Sequence, residues 1–309
     1  MSKNRYVHIF FLDGVGLGAA DAAANPFVTA DMPYLAGLLG SDEWYLQGNG
    51  RISGRRATLV PTDANMDVSG RPQSATGQAT ILTGRNVPSL VGEHYGPKPN
   101  QAVAEIIKQG SLFHDVAAAG GKAALITPYP QGYFDGINSG KRLYSAVPLA
   151  VTSAGWPLFG AGELRAGAAV SPGFTGQGWH DMLGYTDIPI LTLLNSGRQI
   201  AAIAAGYDFS FFDHWPSDRR GHRGPVENAV EHLQMIDTVV GGLLEAWDDQ
   251  AGLLIITSDH GNIEEKDHRQ HTRNPVPTIL VGAGHAELAQ KIHNLADIAP
   301  VVRQVMGLV

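Results

Sequence analysis

Seven side chains able to bind a metal are spread along the chain: Asp13, Ser74, Asp218 with His222, Asp259 with His260, and His271. Carboxylate, imidazole and a hydroxyl are the donors that a pair of hard-to-borderline divalent cations takes, with the hydroxyl placed to attack an electrophile. The sequence contains no Cys, so thiolate sites and disulfides are excluded and any ion must sit on nitrogen and oxygen.

The runs Tyr6 to Leu12, Ala123 to Thr127, Tyr207 to Phe212, Leu253 to Thr257 and Val276 to Val281 must carry these groups. They are short, apolar and rich in β-branched or aromatic residues, as strands buried on both faces are, and most are expected in a parallel central sheet. Helices are expected over Pro33 to Leu39, Ala102 to Lys108 and Val226 to Trp247, the last with Pro225 in its first turn, and a final one begins near Asn294. Strands alternating with helices predict α/β architecture, in which ligand sites collect at the carboxyl ends of strands. Asp13, Asp213 and Asp259 all fall at such ends, and Asp213 and His214 are placed to orient ligands from behind. Between about Asn86 and Ser196 the composition shifts to Gly, Pro and Ala with weak periodicity. The expected division is therefore a metal-binding core of residues 1–86 and 197–309, with 87–196 as an inserted cap or substrate region.

Each motif also has a plainer reading. FFLDGVGLG puts an acid directly after a strand, followed by glycines that permit a sharp turn around a bound group, or merely a turn. It is a poor dinucleotide fingerprint, because Gly14, Gly16 and Gly18 are spaced two apart and no obvious helix follows. In SDRRGHRGP, Asp218 and His222 are four apart, so they converge either on a helical turn or in a tight loop; a solvated charged turn is the bland alternative. In TSDHGNIEEKDHRQHTRNPVPTILVG, Asp259 and His260 follow a strand and precede Gly261, where a turn brings adjacent side chains to one site. His268 competes there with His271, or binds substrate. QSATGQATILTG offers two hydroxyls, Ser74 and Thr76, at a candidate helix start whose amides favour an anion, or which Ser74 simply caps.

The chain has 309 residues, 44% apolar and 17% charged, enough to bury a large core in a globular protein. Its formal charge of -7 argues against a nucleic-acid partner. The apolar run within MSKNRYVHIFFLDG is too short and polar for a signal peptide or membrane span, which predicts a cytoplasmic protein with no membrane partner.

Taken in order, Asp13, the hydroxyl-rich turn ending in L-T-G, D-x-x-G-H at 218–222, D-H-G at 259–261 and HTRNPVP from His271 resemble the alkaline phosphatase superfamily. The similarity is greatest to its branch containing cofactor-independent phosphoglycerate mutase and phosphopentomutase. LDGVGLG with NPF and MPYL resembles that branch's opening, NLADIAPVV resembles the closing helix common across the superfamily, and the likeness covers roughly residues 5–40, 70–88 and 205–307. The resemblance implies a three-layer sandwich with a mostly parallel sheet, and two divalent ions, Zn2+ or Mn2+. Asp218, His222 and His271 would hold one ion; Asp13, Asp259, His260 and the Ser74 oxygen would hold the other. It also favours Ser74 over Thr76 as nucleophile, since related enzymes place theirs ten residues before the Gly of T-G, here Gly84. The implied partner is a small-molecule phosphoester, attacked to give a phosphoseryl intermediate. The mutase carries a much larger insertion after its nucleophile, and a small cap leaves water able to reach the intermediate. Hydrolysis of phosphomonoesters or diesters is therefore expected ahead of phosphomutase or phosphotransferase activity, and a non-catalytic binding protein last. His94 and Lys98, with Lys141 and Arg142, are the cap's candidate substrate contacts.

Overall fold

β1 (Tyr6–Leu12) reads YVHIFFL, and burial on both faces explains why almost every position is apolar. Val7, Ile9 and Phe11 enter one core, while Phe10 and Leu12 enter the other. His8 fits because its Nδ1 lies 2.8 Å from Ser210 Oγ on the neighbouring strand, and burial pushes the ring down to about 3, so it stays neutral. The computed structural model describes residues 5–308; the MSKN that opens the N-terminal segment read above lies outside them, as does Val309.

β1 lies inside a seven-stranded sheet completed by β2 (Ile52–Ser53), β3 (Ala57–Thr62), β4 (Ala123–Leu125), β5 (Phe209–His214), β6 (Gly252–Thr257) and β7 (Val276–Val281). The order is β2-β3-β7-β6-β1-β5-β4. β6, β1, β5 and β4 are parallel, so the carboxyl ends of β1, β5 and β6 open on one rim. β7 runs antiparallel to β6, and β3 antiparallel to β7, so the run expected at 276–281 is present but reversed relative to its neighbour. β3 was not anticipated: ATLVPT carries Pro61, which cannot donate to a ladder and weakens its strand pattern.

Helices cover both faces. On one side lie Ser74–Thr83, Gln101–Gln109, Leu112–Ala118, Ala146–Ser153 and Ile298–Met306; on the other lie Pro33–Leu39, Leu193–Ala204 and Val226–Ala246. The last two touch backbone to backbone. A Cβ at Gly197 would stand 2.0 Å from Val239 O and one at Gly242 2.0 Å from Leu194 O, so only glycine permits this approach. The three-layer α/β sandwich is as expected.

The division at 87–196 needs correction. β4 lies within that stretch yet pairs with β5 in the central sheet, and helices 101–109, 112–118 and 146–153 fill the main core. Leu193–Ala204 begins inside it too, and packs against Val226–Ala246. The small satellite core of Leu164, Ala169, Trp179 and Ile188 marks the part that stands away from the sheet. No helix among the described residues is long and apolar enough to cross a membrane.

Candidate metal centre

Two strand ends, a short helix, a loop and a helix start carry the predicted ligands. Asp13 follows β1 directly, and its amide donates to His214 O at 3.1 Å, continuing the β1–β5 ladder one residue past the strand. Asp218 and His222 stand one helical turn apart on Pro216–His222, which Pro216 opens at its first position, so the helical alternative for this pair is the observed one. Asp259 and His260 occupy the turn after β6, where Ser258 Oγ donates to His260 O and accepts from Val15 N, both at 2.9 Å. His271 lies in the loop before β7, and Ser74 is the first residue of helix Ser74–Thr83.

All seven converge. Ser74 Oγ is 3.1 Å from His260 Nε2, which lies 3.3 Å from Asp13 Oδ1 and 3.7 Å from Asp259 Oδ2. On the other flank, Asp218 Oδ1 is 3.3 Å from His222 Nε2 and 3.6 Å from His271 Nε2, and those two imidazole nitrogens are 3.2 Å apart. The His260 and His271 rings stack at 3.7 Å and join the two flanks. Asp13, Asp259 and His260 offer donor atoms close enough to share one ion; so do Asp218, His260 and His271.

The second nitrogen of each imidazole fixes its tautomer. Nδ1 of His222 donates to Arg269 O at 2.8 Å, Nδ1 of His271 to Pro72 O at 2.8 Å, and Nδ1 of His260 to Gly261 O at 3.3 Å. A carbonyl can only accept, so all three Nδ1 atoms carry hydrogen, and whenever these rings are neutral their Nε2 lone pairs turn inward. Two inward lone pairs 3.2 Å apart, His222 against His271, repel unless a proton or a metal cation lies between them.

The carboxylates point the same way. Among the described residues no Lys or Arg pairs with Asp13, Asp218 or Asp259. Burial first, then the neighbouring carboxylates, pushes Asp13 and Asp259 well above the ordinary range. Burial also opposes ionisation of Asp218, but His222, His260 and Asn262 outweigh it and hold that carboxyl down at about 2. Burial pushes His271 down to about 3, whereas Asp13 overcomes burial at His260 and raises it. Oδ1 of Asp13 and Oδ1 of Asp259 are buried with no hydrogen-bond partner. Unpaired buried oxygens cost about 1–3 kcal/mol each, a cost that a bound cation removes, so these residues fit divalent metal.

Neighbouring residues explain why the loops fold this way. Gln78, one turn along from Ser74, donates to Asp259 Oδ2 at 3.1 Å and Asp13 Oδ2 at 3.4 Å. Glu264 is fully buried and accepts from Gly16 N at 3.0 Å, Asn262 N at 2.7 Å, Asn274 Nδ2 at 3.1 Å and Thr272 Oγ1. It ties the LDGVGLG turn to the DHGN and HTRNP loops. A Cβ at Gly16 would stand 2.2 Å from Glu264 Oε1, and one at Gly14, whose φ is +72°, 2.9 Å from Asp218 Cα. Those glycines serve close packing around the ligands, not a nucleotide. Neither Gln78 nor Glu264 was picked out from sequence; the only signal for Glu264 was an acid in a loop already rich in ligands.

Thr76 is taken up elsewhere: its Oγ1 bonds Gln73 O at 3.1 Å, lies 3.3 Å from Tyr95 O and accepts from Tyr95 N at 3.2 Å. Ser74 does not cap the helix, since Gln73 holds the cap position. His214 was expected to orient ligands through its side chain, but its ring stacks on Phe174 and meets His232, Nε2 to Nε2, at 2.9 Å; only its carbonyl reaches Asp13. The Asp213 carboxylate makes no hydrogen bond to a ligand. His94 bonds Asn65 O at 3.1 Å, Lys98 bonds Leu143 O, and His268 pairs with Glu265 at 3.1 Å, so none of the three joins the seven.

Residues 196–309 match the profile described as the Metalloenzyme superfamily. The chain is 37% identical over 120 residues to a 2,3-bisphosphoglycerate-independent phosphoglycerate mutase of Cereibacter sphaeroides, covering 37% of this chain and 24% of that protein. It is 40% identical over 117 residues to its namesake in Dinoroseobacter shibae, covering 35% and 23%. The match thus spans about a quarter of these relatives' length. Among solved structures, the PH0037 protein from Pyrococcus horikoshii superposes with a TM-score of 0.56 at 15% identity, covering 100% of this chain and 98% of that one. Alkaline phosphatase from the Antarctic bacterium TAB5 gives 0.52 at 11% identity, covering 99% and 98%. Residues 196–309 are thus similar in sequence to the Metalloenzyme superfamily, and the chain over its full length shares the α/β sandwich fold of the alkaline phosphatase structure.

Proposed function

We propose that the chain is a two-metal phosphoryl-transfer enzyme for small phosphoesters, with Ser74 as its nucleophile. The observation that carries this reading is the convergence of three inward imidazole nitrogens and three carboxylates around a serine oxygen 3.1 Å from one of them. Asp218, His222 and His271 would hold one divalent ion, Zn2+ or Mn2+; Asp13, Asp259 and His260, with Ser74 Oγ, would hold the second. Bound there, the ions favour the serine alkoxide and neutralise phosphoryl oxygens. Ser74 Oγ bonds phosphorus as the bond to the departing oxygen breaks, and a second oxygen then takes the phosphoryl group and restores the hydroxyl. Gln78 holds Asp13 and Asp259 in place throughout.

The acceptor is a hydroxyl of the substrate, as in a phosphomutase. This reverses the order expected from sequence, for two reasons. The relatives are named as mutases. Ser74 is also only 9% exposed, with the 94–97 segment packed over its helix start so that a Cβ at Gly96 would lie 3.2 Å from Ser74 N. Both limit water's access to a phosphoseryl group. Hydrolysis is retained as a second reading because three quarters of the relatives' length has no counterpart in the match. Incubating the Mn2+- or Zn2+-loaded protein with phosphoglycerates and sugar phosphates separates the two. Isomer interconversion exceeding phosphate release is expected, and release without interconversion selects hydrolysis. Ser74→Ala should lower turnover of either kind at least about 10³-fold with metal content retained; unchanged turnover would remove Ser74 from the chemistry.

A further inference from the structure

Asp213 is a buried acid near the centre that the proposed chemistry leaves unused and, unlike Glu264, it keeps a carboxylate oxygen without a hydrogen-bond partner. It is 7% exposed, its Oδ1 has no hydrogen-bond partner, and its backbone is pinned by Thr127 Oγ1, which accepts from Asp213 N at 2.8 Å and lies 3.2 Å from Asp213 O. Strand alternation sets its direction: Phe209, Phe211 and Asp213 share the face of β5 on which Ser74–Thr83 packs. Its register partner on β1 is Phe11, two residues before Asp13, so the two acids lie on adjacent strands, roughly 8 Å apart by strand geometry.

A second orphan faces the same region. Tyr133 Oη is buried without a partner, and the Tyr133 ring stacks on Tyr129 at 4.2 Å. Asp213 is close enough to add to the effect of burial in raising both phenols, and burial alone lifts Asp213 itself to about 7. Two unpaired polar atoms from separate elements on one face are costly unless something polar comes to them. A buried acid without a basic partner and a phenol match a ligand hydroxyl, which donates to the carboxylate and accepts from Tyr133.

We infer that Asp213 and Tyr133 form the subsite for a free hydroxyl of the substrate, so that the preferred substrates are hydroxylated phosphoesters carrying that hydroxyl on the second or third carbon from the phosphate oxygen. The inference rests on the phosphoryl-transfer reading, which supplies the phosphate's position. Asp213 is a specificity-determining residue in this arrangement, and in transfer to a second hydroxyl it positions the acceptor.

Binding to metal-loaded Ser74→Ala protein, followed by calorimetry with glycerol 1-phosphate and propyl phosphate, tests this without turnover. The two probes differ only in hydroxyls. Glycerol 1-phosphate is expected to bind at least tenfold tighter, and Asp213→Ala in that background should bring the ratio close to one. Tyr133→Phe removes a single oxygen, keeps the ring stack, and should reduce the same ratio severalfold, which preserves the test should Asp213→Ala not fold. A purely structural role would weaken both probes together and leave the ratio intact. That result, or no tighter binding of glycerol 1-phosphate at the outset, overturns the inference. Failure of the phosphoryl-transfer reading shows separately, as turnover surviving Ser74→Ala.

Discussion

Ser74 and Thr76 differ in what already holds their hydroxyls. Thr76 Oγ1 bonds Gln73 O and both polar groups of Tyr95, whereas Ser74 Oγ faces only His260. Thr76→Val should therefore cost about 1–3 kcal/mol in urea unfolding, by stranding buried groups, yet leave turnover within about tenfold. Ser74→Ala should do the reverse, and a collapse of turnover in Thr76→Val would exchange their roles. Asp213 gives a prediction of a different kind. Burial alone raises it from 3.8 to about 7, so the folded state keeps a proton that the unfolded chain releases above pH 4, and stability is lost as pH rises through that window. Asn carries no such charge. Asp213→Asn should raise Tm by roughly 2 °C or more at pH 8, with the gain shrinking towards pH 4.5; an equal gain at both values would mean the carboxylate is not the cause. All seven converging side chains, and Thr76 beside them, stand out in the sequence because residue type declares donor chemistry. Gln78 was not, since an amide next to many others acquires meaning only once helix Ser74–Thr83 turns it towards Asp13 and Asp259.

Helix Ser74–Thr83 has to lie close to the turn after β6. A Cβ at Gly77 would stand 2.9 Å from Asp259 Cβ and 3.0 Å from Asp259 O. Gly77→Ala must push the helix away from that turn and lengthen the contact between Ser74 and His260. The expected cost is about 1–3 kcal/mol by thermal or urea unfolding, with turnover falling further than stability explains; full activity would show that the helix start has slack. Strands buried on both faces were readable almost to the residue, β1 and β7 included, because continuous apolar runs bounded by Gly or Pro have few other uses. Partner choice was not readable, so the antiparallel setting of β7 and the presence of β3 had to come from structure. The expected cap failed for a packing reason. Ala146–Ser153 reads AVPLAVTS, and its small side chains let it seat deep in the core, where composition alone suggests a surface excursion.

The whole molecule acts as a clamp that gathers ligands from residues 13 to 271 through one sheet rim. β1, β5 and β6 end together, Glu264 ties three of the loops, and Ser74–Thr83 closes over them. Groups so distant in sequence meet only in the folded chain, and a bound cation would balance the buried Asp13 and Asp259 and the half-buried Asp218, none of which has a Lys or Arg partner among the described residues. Metal content therefore tests the arrangement most directly. Elemental analysis of the folded protein, loaded with Mn2+ or Zn2+ and then dialysed, should find two ions per chain, falling to about one in Asp218→Ala and in Asp259→Ala. A wild-type content below one ion per chain, or a content that neither substitution changes, would contradict it.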